Sequence, residues 1–201
     1  AQDSEWAKAI RGAATIDARD VKSGSDGSSY ACGLFTGTSN FDVGVSDFSL
    51  TSIGLNDGFI VIHDAAGHFE WVRQIEGTNH VRPFSLAIDQ NDNIYITGHF
   101  FGTVDFDPGP GTFNLTSLSG ADVFLLKLNA NGEFQWARHY GNSGVGSNSE
   151  AIYVALDQMG NPIIVGRYTN TINFDIGGAG LLRTASGGFD VFIAKVASGG
   201  G

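Results

Sequence analysis

The sequence predicts an all-β protein built of three four-stranded antiparallel repeats of about 65 residues, and three observations carry that prediction. Trp6, Trp71 and Trp136 recur at intervals of 65 residues. Around each of them, polar and apolar residues alternate with the period of two that belongs to strands. Charged residues are only 16% of the chain while glycines number 29, the balance of many short strands and turns rather than of long helices.

The first element of each repeat is the Trp strand. An acid or amide precedes the tryptophan at Glu5, Glu70 and Gln135, a cation follows two residues later at Lys8, Arg73 and Arg138, and an apolar or aromatic residue comes two further on at Ile10, Ile75 and Tyr140. The next strands run from Phe84 to Ile88 and from Ile94 to Gly98 in the second copy, with Tyr30 and Tyr95, and Gly33 and Gly98, again 65 residues apart. In the third copy Ile163 and Gly166 follow at 68, after an insertion of three in the loop 142–148, where a surface connection lengthens at little cost. An excursion from Val104 to Ser117 carries room for a short hairpin. It contains the motif Asx-Phe-Asp-x-Gly, found at Asn40 to Gly44, Asp105 to Gly109 and Asn173 to Gly177. Each repeat closes on an apolar strand entered by an acid, at Asp57, Asp122 and Asp190, and Ala66-Gly67 and Asn131-Gly132 then turn the chain into the next Trp strand. Four antiparallel strands per repeat is the build of a propeller blade.

The segments Asp89 to Gly98 and Asp122 to Trp136 resemble the bacterial β-propeller repeat called SBBP, and Phe106-Asp107-Pro108-Gly109-Pro110-Gly111 is similar to versions common in secreted proteins of Bacteroidetes-type bacteria. The resemblance covers nearly the whole chain. Copy one departs from it at Lys22 to Gly27, which stands where Ile88 to Asn93 stands in copy two. It implies a secreted, non-catalytic propeller module and identifies no ligand.

A single repeat domain is expected over 1–201, with repeats at about 4–68, 69–133 and 134–201. The first residues and the last are complementary: the strand at 4–10 is the piece that the last repeat lacks. That offset predicts that the N-terminal strand, with Trp6, Lys8 and Ile10 as its anchors, completes the last blade of its own chain or of a neighbouring one. Closed propellers carry about four to eight blades, so three predict a partner: a six-bladed ring of two chains, a filament, or continuation into a longer protein, with a compact three-fold chain as the remaining alternative.

Hydropathy near zero and 42% hydrophobic residues predict a soluble globular protein, and no apolar run approaches the roughly 20 residues of a spanning helix. A net charge of −10 disfavours nucleic acid and anionic membrane as partners. The opening Ala1-Gln2-Asp3, without an initiating Met, fits a chain processed after export, so a secreted or cell-surface location is expected. The single Cys32 forms no internal disulfide and reads as a small buried hydrophobe.

Of possible chemistry, the Asx-Phe-Asp-x-Gly turns stand first. Asp42, Asp105, Asp107 and Asp175 offer oxygens two residues apart beside glycines, which suits Ca²⁺; the competing reading has them accepting backbone N–H bonds as Asx turns while Phe41, Phe106 and Phe174 fill the core. The balance favours the turn, because a Ca²⁺ shell takes six or more oxygens. Asp57, Asp122 and Asp190 read as turn caps. His63, His68, His80, His99 and His139 lack metal-ligand spacing and read as surface or loop residues, and no nucleophile elbow or phosphate loop is present. The tryptophans, one per repeat, read as core or inter-blade packing before they read as a sugar platform.

The expectation is a non-enzymatic structural or interaction protein that self-assembles by donating residues 4–10. A glycan- or protein-binding adhesin using the loops 103–111 and 142–148 is the alternative, and a polysaccharide hydrolase or lyase the least favoured.

Overall fold

A computed structural model describes residues 5–12, 14–42, 47–142, 144, 146–176 and 178–199. Ser4, Val43, Gly44, Ser143, Val145, Gly177, Gly200 and Gly201 among the predicted positions lie outside the described residues. The strands are β1 (Arg11–Gly12), β2 (Ile16–Ser23), β3 (Ser29–Phe35), β4 (Thr38–Asn40), β5 (Ser49–Thr51), β6 (Asp57–His63), β7 (Phe69–Gly77), β8 (Val81–Ile88) and β9 (Ile94–Phe100). They continue with β10 (Thr103–Asp105), β11 (Asn114–Thr116), β12 (Asp122–Leu128), β13 (Phe134–Tyr140), β14 (Ser149–Leu156), β15 (Pro162–Tyr168), β16 (Thr171–Asn173), β17 (Leu182–Thr184) and β18 (Asp190–Lys195).

Three antiparallel meanders result. Blade 1 is β2-β3-β6-β7, blade 2 is β8-β9-β12-β13, and blade 3 is β14-β15-β18, with three strands among the described residues. The Trp strand opening each sequence repeat is therefore the fourth strand of the preceding blade. Blades occupy 16–77, 81–140 and 149–195, one strand out of step with repeats counted from the tryptophans. The excursion between second and third strands forms the expected hairpin in every copy: β4-β5, β10-β11 and β16-β17. Each hairpin carries a cross-strand threonine pair, with Oγ1–Oγ1 distances of 2.9 Å for Thr38 and Thr51, 2.9 Å for Thr103 and Thr116, and 3.0 Å for Thr171 and Thr184.

The recurring glycines have a steric cause. First and second strands of each blade share a bulge, at Ala18/Asp20, Pro83/Ser85 and Ala151/Tyr153. The bulge pushes one carbonyl against the second strand, so that a β-carbon at Gly33, Gly98 or Gly166 would collide with the oxygen of Asp17, Arg82 or Glu150.

Blades pack face to face, and each interface is one apolar cluster. Ile60 and Ile62 of blade 1 meet Phe124, Leu126 and Leu128 of blade 2. Val123 and Leu125 on the other face of blade 2 meet Val154, Ile164 and Phe192 of blade 3. A third cluster covers the outer face of blade 1, where Phe35, Phe41, Phe59 and Val61 pack with Ile10.

One of the two alternatives for the N-terminal strand is set aside here, and one expectation is corrected. Residues 5–12 do not complete blade 3 of their own chain; they lie on blade 1, and the described residues form no closed ring. Nor is 6–10 a strand: its hydrogen-bonded part is Arg11–Gly12, because a strand exists only where a neighbour takes its backbone N–H and C=O groups.

Candidate functional site: the open edge of the third blade

The two complete interfaces between blades repeat the same contacts, and the repetition defines what is missing elsewhere. First, the tryptophan of a fourth strand caps the turn between third and fourth strands of the next blade. Trp6 Nε1 donates to Ala65 O at 3.2 Å, Trp71 lies against Gly132, and Trp136 Nε1 donates to Ser198 O at 3.1 Å. Second, the residue four after that tryptophan plugs the next blade's phenylalanine cluster: Ile10 beside Phe59, Ile75 beside Phe124, Tyr140 beside Phe192. Third, the fourth strand pairs with the next blade's hairpin, Glu76 with Asp105 and Gly77 with Val104. The pairing of Arg11 with Asn40 and Gly12 with Ser39, and the bridge between Gly141 and Asn173, stand in the same register.

Residues 5–12 thus hold the place of a fourth strand belonging to a blade in front of blade 1. Their contacts to blade 1 are those that β7 makes to blade 2.

The inner strands add a relay. The bulge residue Asp20 accepts Leu86 N–H at 3.0 Å and the Ser85 hydroxyl at 2.8 Å; Ser85 in turn takes Val154 N–H at 3.4 Å. A loop carbonyl does the same at the start of each following blade, Asn56 O accepting Val81 N–H at 3.1 Å and Ala121 O accepting Ser149 N–H at 2.8 Å. In blade 3 the matching positions are Tyr153 and Phe189, 64% and 51% exposed.

The open edge follows. Ile60 and Leu125 are fully buried, whereas their counterpart Ile193 is 76% exposed, and Val191 is 72% exposed where Val123 is buried. Beside β18 lies a cavity of about 820 Å³ walled by Arg138 and Tyr140 of β13, Tyr168, Phe174 near the third hairpin, and Val191 and Ile193. In blade 2 the corresponding slot holds β13, whose Phe134 ring lies 4.8 Å from that of Phe113. Among the described residues blade 3 therefore presents an unpaired ladder edge, an apolar face and a groove beside it together.

The other predicted positions are dispersed. In the hairpin turns, Asn40 Oδ1 accepts Asp42 N–H, Asp105 Oδ1 accepts Asp107 and Phe113 N–H, and Asn173 Oδ1 accepts Asp175 and Leu181 N–H, with Phe41 and Phe106 fully buried. Among the described residues no group of three His, Cys, Asp or Glu side chains is placed to hold a metal ion, and Asp42, Asp105, Asp107 and Asp175 lie in three separate hairpin turns. Asp57, Asp122 and Asp190 each accept the backbone N–H four residues upstream, from Ile53, Leu118 and Ser186. Cys32 is buried and its thiol is pushed up to about 12 by that burial.

Three histidines depart from the surface reading: His63, His99 and His139. His99 is buried against Phe84 and burial holds its imidazole down at about 4. His139 Nε2 lies 3.8 Å from Asp122 Oδ2. Burial drives the two in opposite directions, Asp122 up to about 7 and His139 below the ordinary histidine value. At the same place in blade 1, Gln74 Nε2 donates to Asp57 Oδ2 at 2.7 Å.

Sequence reasoning missed the relay, since Asp20, Ser85 and Tyr153 are three different residue types and leave no repeated letter. The only signal was their position, opposite the recurrent glycine.

Comparison with known proteins fits this geometry. Residues 70–99 match the family model described as SBBP, beta-propeller repeat. The chain is 28% identical over 134 residues to an uncharacterized WD repeat-containing protein of Acanthamoeba polyphaga mimivirus, across 65% of this chain and 9% of that one. It is 25% identical over 183 residues to the regulatory protein FlaEY of Caulobacter vibrioides, across 90% of this chain and 18% of that one. The chain spans less than a fifth of either relative's length. The segment 70–99 runs from the fourth strand of blade 1 into the second strand of blade 2, so the chain carries a β-propeller repeat whose matched segment spans the junction between two blades.

Proposed function

We propose that this chain is a non-enzymatic, extracellular structural or interaction module that self-assembles by exchanging blade strands into a ring or a filament. One observation supports the reading above the rest: residues 5–12 sit as the fourth strand of a blade in front of blade 1, while β18 has no fourth strand among the described residues. Strand addition of this kind draws affinity from backbone hydrogen bonds and specificity from alternate side-chain pockets.

The test is the mass of the purified chain by light scattering, alongside Ile193→Lys. That side chain is exposed, so the substitution leaves the fold of the single chain intact while placing a charge on the assembling face. Wild type is expected as a dimer or larger and Ile193→Lys as a folded monomer. A wild-type chain that stays monomeric at high concentration, with native-like circular dichroism, overturns the reading.

A further inference from the structure

The geometry points to an alkali-cation site at the junction of blades 2 and 3, where the loop between β13 and β14 meets the loop between β11 and β12 and main-chain carbonyls converge on Ser119. The site lies between two consecutive blades and is independent of the self-assembly proposed above.

The two junctions between consecutive blades differ in sequence. The loop from β13 to β14 carries the insertion of three residues, and Ser119 stands where the first copy has Gly54 and the third Gly187. At the shorter junction the loop closes directly on backbone. A β-carbon at Gly54 would collide with the carbonyls of Gly77 and Asn79, and Asn79 O accepts the Leu55 and Asn56 N–H groups at 3.0 and 3.3 Å. At the longer junction that role passes to a side chain, since Asn148 Oδ1 accepts the Ala121 N–H at 3.2 Å. The main-chain carbonyls of the longer loop are thereby released, and Ser119 has room for a side chain among them.

Ser119 Oγ lies 2.9 Å from Asn142 O, 2.9 Å from Gly144 O and 3.4 Å from Ser147 O. A hydroxyl has one proton, so it donates to one of the three and turns lone pairs on the others. Gly144 O takes a further donor, the Ser147 N–H at 3.1 Å, in a turn where Gly146 has a φ of 76°. Ser147 Oγ is an independent sign. The residue is 4% exposed, its hydroxyl has no hydrogen-bond partner among the described residues, and it lies 3.2 Å from where a β-carbon on Gly144 would stand. Folded chains seldom leave a buried hydroxyl unmatched. Three carbonyl and two hydroxyl oxygens thus gather on this loop with too few protons to share, and a cation, which needs oxygens and brings no proton, answers that shortage.

The donor set selects the ion. All five oxygens are neutral. A divalent ion such as Ca²⁺ takes roughly six to eight oxygens with carboxylates among them, and neutral dipoles alone do not offset its desolvation. A singly charged ion is held by backbone carbonyls that replace its water shell. Ser119 is exposed, which leaves the ion a route from solvent. The net charge of −10 favours a cation over an anion. Bound there, the ion ties the inserted loop to the loop 117–121 and fixes that end of the junction.

The experiment compares the full chain in sodium or potassium chloride with the chain in equimolar choline chloride, a bulky organic cation, by urea midpoint and by sodium-23 NMR linewidth. The midpoint is expected to rise with either alkali salt to a plateau that choline does not give. The sodium line is expected to broaden with protein and to narrow again when potassium is added. Ser119→Gly, which introduces the residue the other copies hold, keeps the fold and should raise the half-saturating salt concentration at least tenfold, and Ser147→Ala should raise it as well. Either equal midpoints in alkali and choline salts or an unbroadened sodium line overturns the site. A Ser119→Gly chain that responds like wild type does the same. If calcium chloride acts at a tenfold lower concentration than the alkali salts and Ser119→Gly abolishes its effect, the ion class is overturned.

Discussion

Blades 2 and 3 have nearly the same third strand, Asp122-Val-Phe-Leu-Leu-Lys and Asp190-Val-Phe-Ile-Ala-Lys, and opposite surroundings. Phe124 and Phe192 face the preceding blade and are buried in both. Val123 and Leu125 face the next blade and are buried, while Val191 and Ile193, at the same places, are among the most exposed large apolar residues described. The strand sequence records a neighbour on both sides. Among the described residues blade 3 has one neighbour, so burial here is a property of the array and not of the repeat.

The sharpest way to break the comparison is to truncate the paired residues. Leu125→Ala empties a closed core and is expected to cost about 2–5 kcal/mol in urea unfolding. Ile193→Ala on a chain dilute enough to be monomeric is expected to stay within about 0.5 kcal/mol of wild type. If the face is covered by a second copy, the cost of Ile193→Ala grows with protein concentration, because association adds to stability by mass action. Equal, concentration-independent losses at both sites would mean that blade 3 is buried by something within its own chain.

A smaller effect separates two turns. Gly132 and Gly160 have φ of 73° and 76°, a region that strains any other L-residue. A β-carbon at Gly132 would come within 2.8 Å of the Trp71 ring, whereas at Gly160 it meets nothing within 4 Å. Both alanine variants should lose about 1 kcal/mol through the backbone. Gly132→Ala should lose more, and it alone should shift the fluorescence of Trp71. Identical losses with unchanged fluorescence would show that Trp71 does not hold blades 1 and 2 together.

How much of this was legible follows from what a repeat can encode. Trp6, Trp71 and Trp136 gave the period, and Gly33, Gly98 and Gly166 recur because one carbonyl leaves no room for a β-carbon, so backbone geometry reached the sequence directly. The hairpin in each excursion and the phenylalanines of the Asx-Phe-Asp motif were readable for the same reason. The state of residues 6–10 was not, since a strand-like pattern states what a segment pairs with and not whether the partner is there. The Asp20–Leu86 and Ser85–Val154 contacts were hidden because a backbone N–H donates to any oxygen, and the buried His99 and half-buried His139 because neither recurs in the other copies.

The histidine bears on the pH dependence of blade 2 relative to blade 1. Asp122 rises from an ordinary 3.8 to about 7 in the fold, so its share of stability is whole below about 4 and is lost as pH climbs through 7. His139 is lowered, so its share is whole above its ordinary 6.5 and is lost as pH falls below that. His139→Gln supplies Asp122 with the amide donor that Gln74 gives Asp57. The variant is expected to be more stable than wild type at pH 8 and to show a flatter urea midpoint between pH 4 and 7. An unchanged profile would mean that Asp122 titrates without reference to its neighbour.

The smallest expected effect tests whether the three hairpins are equivalent. The threonine pairs at 38/51, 103/116 and 171/184 hold nearly the same distance although only the middle hairpin is built into a six-strand sheet, through the pairing of β10 with β7. Replacing one threonine by valine keeps the branched shape and removes one hydroxyl of an exposed cross-strand pair, a loss of about 0.2–1 kcal/mol. Thr103→Val should sit at the upper end, since loosening β10 also loosens the fourth strand of blade 1, and Thr171→Val at the lower end, because among the described residues the backbone pairing of β16 with blade 2 is the Gly141–Asn173 bridge alone. Urea midpoints measured side by side decide the order. If Thr171→Val proves as costly as Thr103→Val, the third hairpin is anchored as firmly as the second, and the looseness of blade 3 is confined to the edge of β18.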